Sequence, residues 1–176
     1  ESIFAQMAAE ESPIPRWIVC GAGTGGTSAT IGRYIAYQRY PTELCVADPV
    51  HSIFHRHFAD PEMTALEQGC ASKIEGIGRP RVEPSFICSA IDRMIAIDDA
   101  ASIGAMRALS RRLGRRVGGS TGTNLVAVAR LVEEMASRGE TGSIVTLLCD
   151  GGDRYSCTYY DDDWLTARDI DWHPHE

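Results

Sequence analysis

The chain has 176 residues, 44% of them apolar and 23% charged, with a formal net charge of −7. This is the balance of one globular domain with a sizeable core, not of a disordered or fibrous chain. The acidic balance argues against a bulk nucleic-acid binder, which needs clustered Lys and Arg, and no apolar run approaches the roughly 20 residues of a membrane span.

Residues 2–9, "SIFAQMAA", read as a helix that Pro13 and Pro15 end. No basic segment followed by an apolar one precedes them, so no secretory signal is expected and the reading is cytoplasmic. Strand-like runs follow at 16–20 ("RWIVC"), 43–48 ("ELCVAD") and 143–149 ("SIVTLLC"), apolar and rich in β-branched residues as buried parallel strands are. Helical patterns lie between them at 27–39, at 99–113 behind the N-cap candidate Asp98, and at 122–138 up to Gly139. Strands alternating with helices predict an α/β domain with a parallel sheet. Residues 58–90 have weak periodicity and read as a long excursion over the sheet edge. The acidic, aromatic residues 158–176 read as a C-terminal extension, a short helix plus a surface strap, on a domain spanning 1–157. "RRLGRR" at 111–116, the one basic cluster, reads as the solvated end of a helix.

Six cysteines stand at 20, 45, 70, 88, 149 and 157, none in a C-x-x-C pair, and read as reduced thiols. Lys73 is the only lysine, which limits lysine chemistry within these residues to one candidate.

The chemistry centres on "VCGAGTGGTSATIGRYI", residues 19–35, a buried strand ending in a Gly/Thr loop that opens a helix. One reading is a dinucleotide fingerprint, since residues 21–26 match G-x-G-x-x-G and Asp48 ends the next strand where a ribose-binding acid is expected. The other weighs the threonines: Gly23, Thr24, Gly25, Gly26 and Thr27 offer successive backbone N–H groups and two hydroxyls, a cup for a terminal phosphate monoester, with Thr27 as both N-cap and ligand. Two further loops, "VGGSTGTNL" (117–125) and "LLCDGGDRY" (147–155), are expected to converge with it on one ligand site, as loops at the carboxyl ends of parallel strands do.

Together "GAGTGGT", "ADPVHSIF", "KIEGIG", "GGSTGTN" and "CDGGDRY", in that order, resemble the cysteine synthase and cystathionine β-synthase family, the fold-type II enzymes that use pyridoxal 5′-phosphate. The resemblance covers roughly residues 1–160. It implies a three-layer αβα fold with a mostly parallel twisted sheet, like the tryptophan synthase β-subunit, of which these residues form the larger, cofactor-binding domain. It implies that Gly23 to Thr27 cup the cofactor phosphate and that Ser120 hydrogen-bonds the pyridine nitrogen; from its position Ser120 also reads as an N-cap of the following helix, a role compatible with that one. A neutral hydroxyl does not hold that nitrogen protonated, which suits loss of a β-substituent over deeper carbanion chemistry. Glu75, Gly76 and Gly78 match the loop that passes close to cofactor and substrate, and Asp150 and Gly151 stand where the family often has small polar residues near the pyridine nitrogen, so the resemblance leaves their role open, with Asp150 a candidate cofactor contact.

The family's cofactor-bearing lysine and its substrate-carboxylate loop lie upstream of the glycine loop, and neither motif occurs here. No catalytic residue is therefore expected in these residues, Lys73 reads as a surface side chain, and the chain is expected to be the C-terminal half of a longer enzyme. His51 and His55 have the helical spacing of a zinc pair, with His57, His173 and His175 available, but no partnering motif appears and no metal is expected; His51 is placed near the cofactor mouth. The expected activity is lyase or synthase chemistry at the β-carbon of cysteine or a related β-substituted alanine. "GGSTGTN" and "DGGDRYSCTYYDDDWL" look more like the L-cysteine desulfhydrase branch than the housekeeping synthase. The family implies a homodimer, without nucleic acid or membrane. The rival readings are an NAD-binding Rossmann domain and a non-catalytic half-domain that binds a partner.

Overall fold

A computed structural model describes residues 1–66 and 72–175. In chain order the elements are α1 (Ser2–Met7), β1 (Trp17–Gly21), α2 (Gly26–Gln38), β2 (Glu43–Pro49), α3 (Ile53–Ala59), β3 (Arg93–Ile97), α4 (Asp99–Leu113), α5 (Gly119–Ser137), β4 (Ile144–Thr146) and α6 (Asp162–Thr166). The four strands form one parallel sheet in the order β3-β2-β1-β4.

Alternation along the strands builds the two faces. Ile18, Cys20, Leu44, Val46 and Met94 point to one side, where Phe4, Ile35, Ile53 and Phe54 of α1, α2 and α3 cover them. Trp17, Val19, Cys45, Ala47, Ile95 and Ile97 point to the other, against Ala101 of α4 and Ala127, Leu131 and Met135 of α5. Both faces are covered, giving the three-layer αβα arrangement. β1 and β2 are central and nearly fully buried; β4 is an edge strand, half-buried throughout, which explains why only three residues of the apolar run 143–149 pair.

Helix α4 begins behind Asp98, whose side chain accepts from Ala100 N–H at 3.0 Å, as its sequence predicts. Helix α5 starts earlier than the pattern at 122–138 indicates. Its first turn is made of residues with weak helix propensity, and it is held by tertiary contacts: Gly118 N–H donates to Asp150 C=O at 3.1 Å and Gly119 packs under the Tyr159 ring. β3 and α3 carry no separate sequence expectation. The described part of the excursion over 58–90 is placed differently from the expected run over the sheet edge. It crosses the carboxyl end of central strand β1, where Gly78 N–H donates to Ala22 C=O at 2.9 Å and Ile74, Ile77 and Phe86 are buried.

The segment from 158 onward is more than a surface strap. Tyr159, Leu165 and Trp172 are buried with Ile103 and Met106 of α4 and with Ile74 and Ile77 of the excursion in a third apolar cluster. Arg107 ties it down: Nε donates to Tyr159 C=O at 2.8 Å, Nη1 to Asp162 Oδ1 at 2.6 Å, and the guanidinium lies 4.2 Å from the Trp172 ring centroid.

Asp48, the candidate ribose ligand, is fully buried at the end of β2. Its Oδ2 accepts from His55 N–H at 2.9 Å, while Oδ1 is buried without a partner. Burial pushes its carboxyl up to about 7, against the opposing pull of hydrogen bonds from Ser52 and His55. The folded-state value lies above the unfolded one, so the unfolded chain ionises first and folding loses stability as pH rises from about 4 to 7, by at most ~4 kcal/mol. Asp48→Asn keeps an acceptor for His55 and has no charge to desolvate. It is expected to stabilise the full-length gene product by about 1–3 kcal/mol at pH 8 and by nothing near pH 4, in urea melts at the two pH values. A gain independent of pH would contradict this account.

Candidate cofactor site

A cavity of about 550 Å³ lies at the carboxyl ends of β1 and β4, where the first turns of α2 and α5 both reach it. Two helix N-termini at one cavity concentrate unpaired N–H groups and positive dipole ends. In α2 the first hydrogen bond runs from Ala29 N–H to Gly25 C=O at 2.9 Å, so the N–H groups of Gly26, Thr27 and Ser28 have no acceptor within the helix.

The cup exists because two chain segments press on the glycines. Gly25 caps α2 with φ 90°, in the left-handed region, and a Cβ there would stand 2.5 Å from Phe86 Cα. A Cβ on Gly23 would collide with the carbonyl oxygen of Gly76. Ser85 Oγ donates to Thr24 C=O at 2.6 Å and fastens the second segment. The N-cap is thus Gly25, not Thr27, because only a residue without Cβ fits against Phe86. Thr27 sits in the first helical turn, and the hydroxyls of Thr24 and Thr27 meet no protein partner among the described residues.

Ser120 lines the same cavity. Gly118 is the N-cap of α5, so Ser120 is not, and its hydroxyl likewise meets no protein partner among the described residues. Asp150 lines the cavity with one oxygen already committed: Oδ2 accepts from Tyr155 OH at 2.7 Å. Its buried Oδ1 is pressed on Gly118, where no Cβ could fit, so Asp150 braces the start of α5 beside Ser120. Burial, and then the Asp150 carboxylate, push the Tyr155 hydroxyl far above its ordinary range, so it remains a proton donor to Asp150.

The loop after Lys73 forms a third wall. Glu75, Gly76 and Ile77 line the cavity; Gly78 does not, because its N–H is spent on Ala22 behind the loop. Tyr159 OH donates to Lys73 C=O at 2.6 Å and accepts from Glu75 N–H at 2.8 Å, and Lys73 N–H donates to Asp99 Oδ2 at 2.6 Å. The backbone of Lys73 is thereby clamped, while its side chain is exposed and outside the cavity.

Cavity residues without a sequence-assigned role include Arg79, Cys149, Arg154 and Tyr155. Arg154 and Tyr155 lie inside the quoted "CDGGDRY" motif, and Arg79 directly follows "EGIG", so proximity to a motif was the available signal. Among the described cysteines all five are free; burial pushes the thiols of Cys20 and Cys45 up to about 12, which makes them inert. Cys70 lies outside the described residues. His51 lines a smaller neighbouring cavity of about 240 Å³ that shares Glu75, Gly76, Ile77 and Arg79 with the main one. His55 is half-buried on α3, His57 Nδ1 pairs with Met63 C=O at 3.0 Å, and His173 and His175 are exposed. No group of three or more metal-ligating side chains is assembled among the described residues.

These donors fit pyridoxal 5′-phosphate: the unpaired N–H groups and hydroxyls at the start of α2 suit a phosphate, and the free Ser120 hydroxyl at the start of α5, in the same cavity, suits a ring nitrogen. The chain belongs to the pyridoxal-phosphate dependent enzyme family, whose model matches residues 1–150. Among curated proteins it is 56% identical to L-cysteine desulfhydrase Cds1 of Mycobacterium tuberculosis, over 97% of this chain and 46% of that protein. It is 32% identical to cysteine synthase 2 of Schizosaccharomyces pombe, over 86% of this chain and 40% of that protein. To cystathionine beta-synthase of Saccharomyces cerevisiae it is 33% identical, over 88% of this chain and 30% of that protein. The chain thus spans less than half the length of these relatives. Family membership and the burial of Asp48 together set aside the dinucleotide reading.

Proposed function

We propose that the full enzyme containing these residues is an L-cysteine desulfhydrase, converting L-cysteine and water to sulfide, pyruvate and ammonia. The identity of 56% along nearly the whole chain to a protein of that name carries this reading. Pyridoxal 5′-phosphate, when bound, supplies the electron sink that lets the α-proton and then the β-substituent depart. In this reading the first turn of α2, with Thr24 and Thr27, holds the phosphate, and Ser120 holds the ring nitrogen without protonating it. Asp150 and Tyr155 keep the start of α5, and with it Ser120, in place. Glu75 and Gly76 border the substrate. The lysine that carries the cofactor is contributed by residues outside this chain. The enzyme is further read as a cytoplasmic homodimer acting on a small amino acid. Among the described residues no helix is long and apolar enough to cross a membrane.

The test is the visible spectrum of the full-length gene product, before and after borohydride, with sulfide release from L-cysteine measured beside it. A yellow band lost on reduction, together with sulfide and pyruvate in equal amounts, is the expected result. A protein that stays colourless with added cofactor overturns the reading in favour of a non-catalytic half-domain. Consumption of O-acetylserine and sulfide, with no sulfide from cysteine, favours the cysteine synthase alternative that the more distant relatives suggest. Ser120→Ala should retain the colour and slow sulfide release by about 10-fold, the worth of one hydrogen bond of ~1.4 kcal/mol. An unchanged rate would remove Ser120 from the site.

A further inference from the structure

We propose that Arg79 supplies a cationic contact to the phosphate end of the cofactor site, adding a full positive charge to a cup whose other donors are neutral. The proposal rests on the cofactor reading above. A phosphate monoester carries a charge of about −1.5 to −2 at neutral pH. Against it, the first turn of α2 offers N–H groups, two hydroxyls and a dipole end equivalent to roughly half a charge.

Two arginines line the cavity. Arg154 is engaged: Nη2 lies 3.1 Å from Glu75 Oε2 and its guanidinium lies over the Tyr155 ring. Arg79 is different. The residue is half-buried and its guanidinium meets no carboxylate among the described residues; its one side-chain hydrogen bond is from Nη1 to Gly78 C=O at 3.0 Å. Its Nη2 stands 3.8 Å from the position a Cβ would take on Gly23, the first residue of the cup. The base of the side chain is fixed, since Arg79 N–H donates to Ser52 Oγ at 3.2 Å and Arg79 C=O accepts from Ile53 N–H at 2.8 Å at the start of α3. A guanidinium at the cavity without an acidic partner has donors left for an anion, and its planar fork matches phosphate oxygens. Neither carboxylate of the cavity is bonded to Arg79: Glu75 is paired with Arg154, and Asp150 Oδ2 accepts from Tyr155 while its Oδ1 is pressed on Gly118.

The test compares two probes on the full-length apoenzyme, pyridoxal 5′-phosphate and pyridoxal, which share the ring and differ in the phosphate. Arg79→Gln should weaken the phosphorylated probe by about 10- to 100-fold, the range of one charge-assisted hydrogen bond, and leave pyridoxal unchanged. Arg79→Lys should recover part of the loss, which separates charge from folding. Equal losses for both probes would overturn the proposal, since Arg79 would then shape the cavity only. Unchanged cofactor affinity with a raised KM for the amino acid would overturn it too, by assigning Arg79 to the substrate. A wild-type apoenzyme that binds neither probe would refute the cofactor reading itself, and this proposal with it.

Discussion

Gly25→Ala is expected to destabilise the full-length gene product by about 3–5 kcal/mol and to abolish its retention of cofactor on dialysis. Two costs add. Alanine at φ 90° is in a backbone region that L-residues avoid, worth ~1–2 kcal/mol. Its Cβ would also stand 2.5 Å from Phe86 Cα and 2.9 Å from Phe86 N and Ser85 O, all backbone atoms with no rotamer to adopt. Either residues 85–86 or the start of α2 must move, and the N–H groups facing the cavity move with the helix. Gly76→Ala is the control. Gly76 also has positive φ, 87°, but a Cβ there meets nothing within 4 Å, so only the backbone cost of ~1–2 kcal/mol remains. Equal losses for the two variants in denaturant melts would show that the contact with Phe86 does not matter.

Tyr159→Phe should cost about 1–3 kcal/mol, and Tyr159→Ala about 3–5 kcal/mol, far more than a surface strap would allow. The ring is 1% exposed, stacks on Tyr155 with centroids 4.7 Å apart, and meets Trp164 edge-on. Burial pushes its hydroxyl up to about 12, so at working pH it remains a proton donor. That hydroxyl serves Lys73 C=O and Glu75 N–H at once, and phenylalanine would leave both backbone groups without this partner. Limited proteolysis should therefore cut residues 72–79 faster in both variants. Wild-type stability and wild-type cleavage in Tyr159→Phe would show that the loop is held from elsewhere. The acidic tail thus acts at a distance: through Tyr159 it fixes the loop that walls the cavity.

Much of the site was legible because its parts are local. A buried strand, a glycine turn and a helix start are neighbours in sequence, so "GAGTGGT" announces an anion-binding helix end before any packing is known. The same holds for α4, whose cap Asp98 and apolar spacing are contained in one stretch. Family resemblance then supplied the order in which three loops meet. What the chain alone could not reveal are relations between distant residues. That Gly25 rather than Thr27 caps α2 depends on Phe86, some sixty residues away, pressing where a side chain would stand. That Gly78 turns away from the cavity while Glu75 and Gly76 face it depends on Ala22 and on Tyr159. That the tail is core rather than strap depends on Arg107 and the apolar face of α4. Local propensity and turn chemistry act over a few residues and are written in the sequence as patterns. Burial, pairing of buried charge and close backbone approach are decided only when the folded chain brings its own distant segments together.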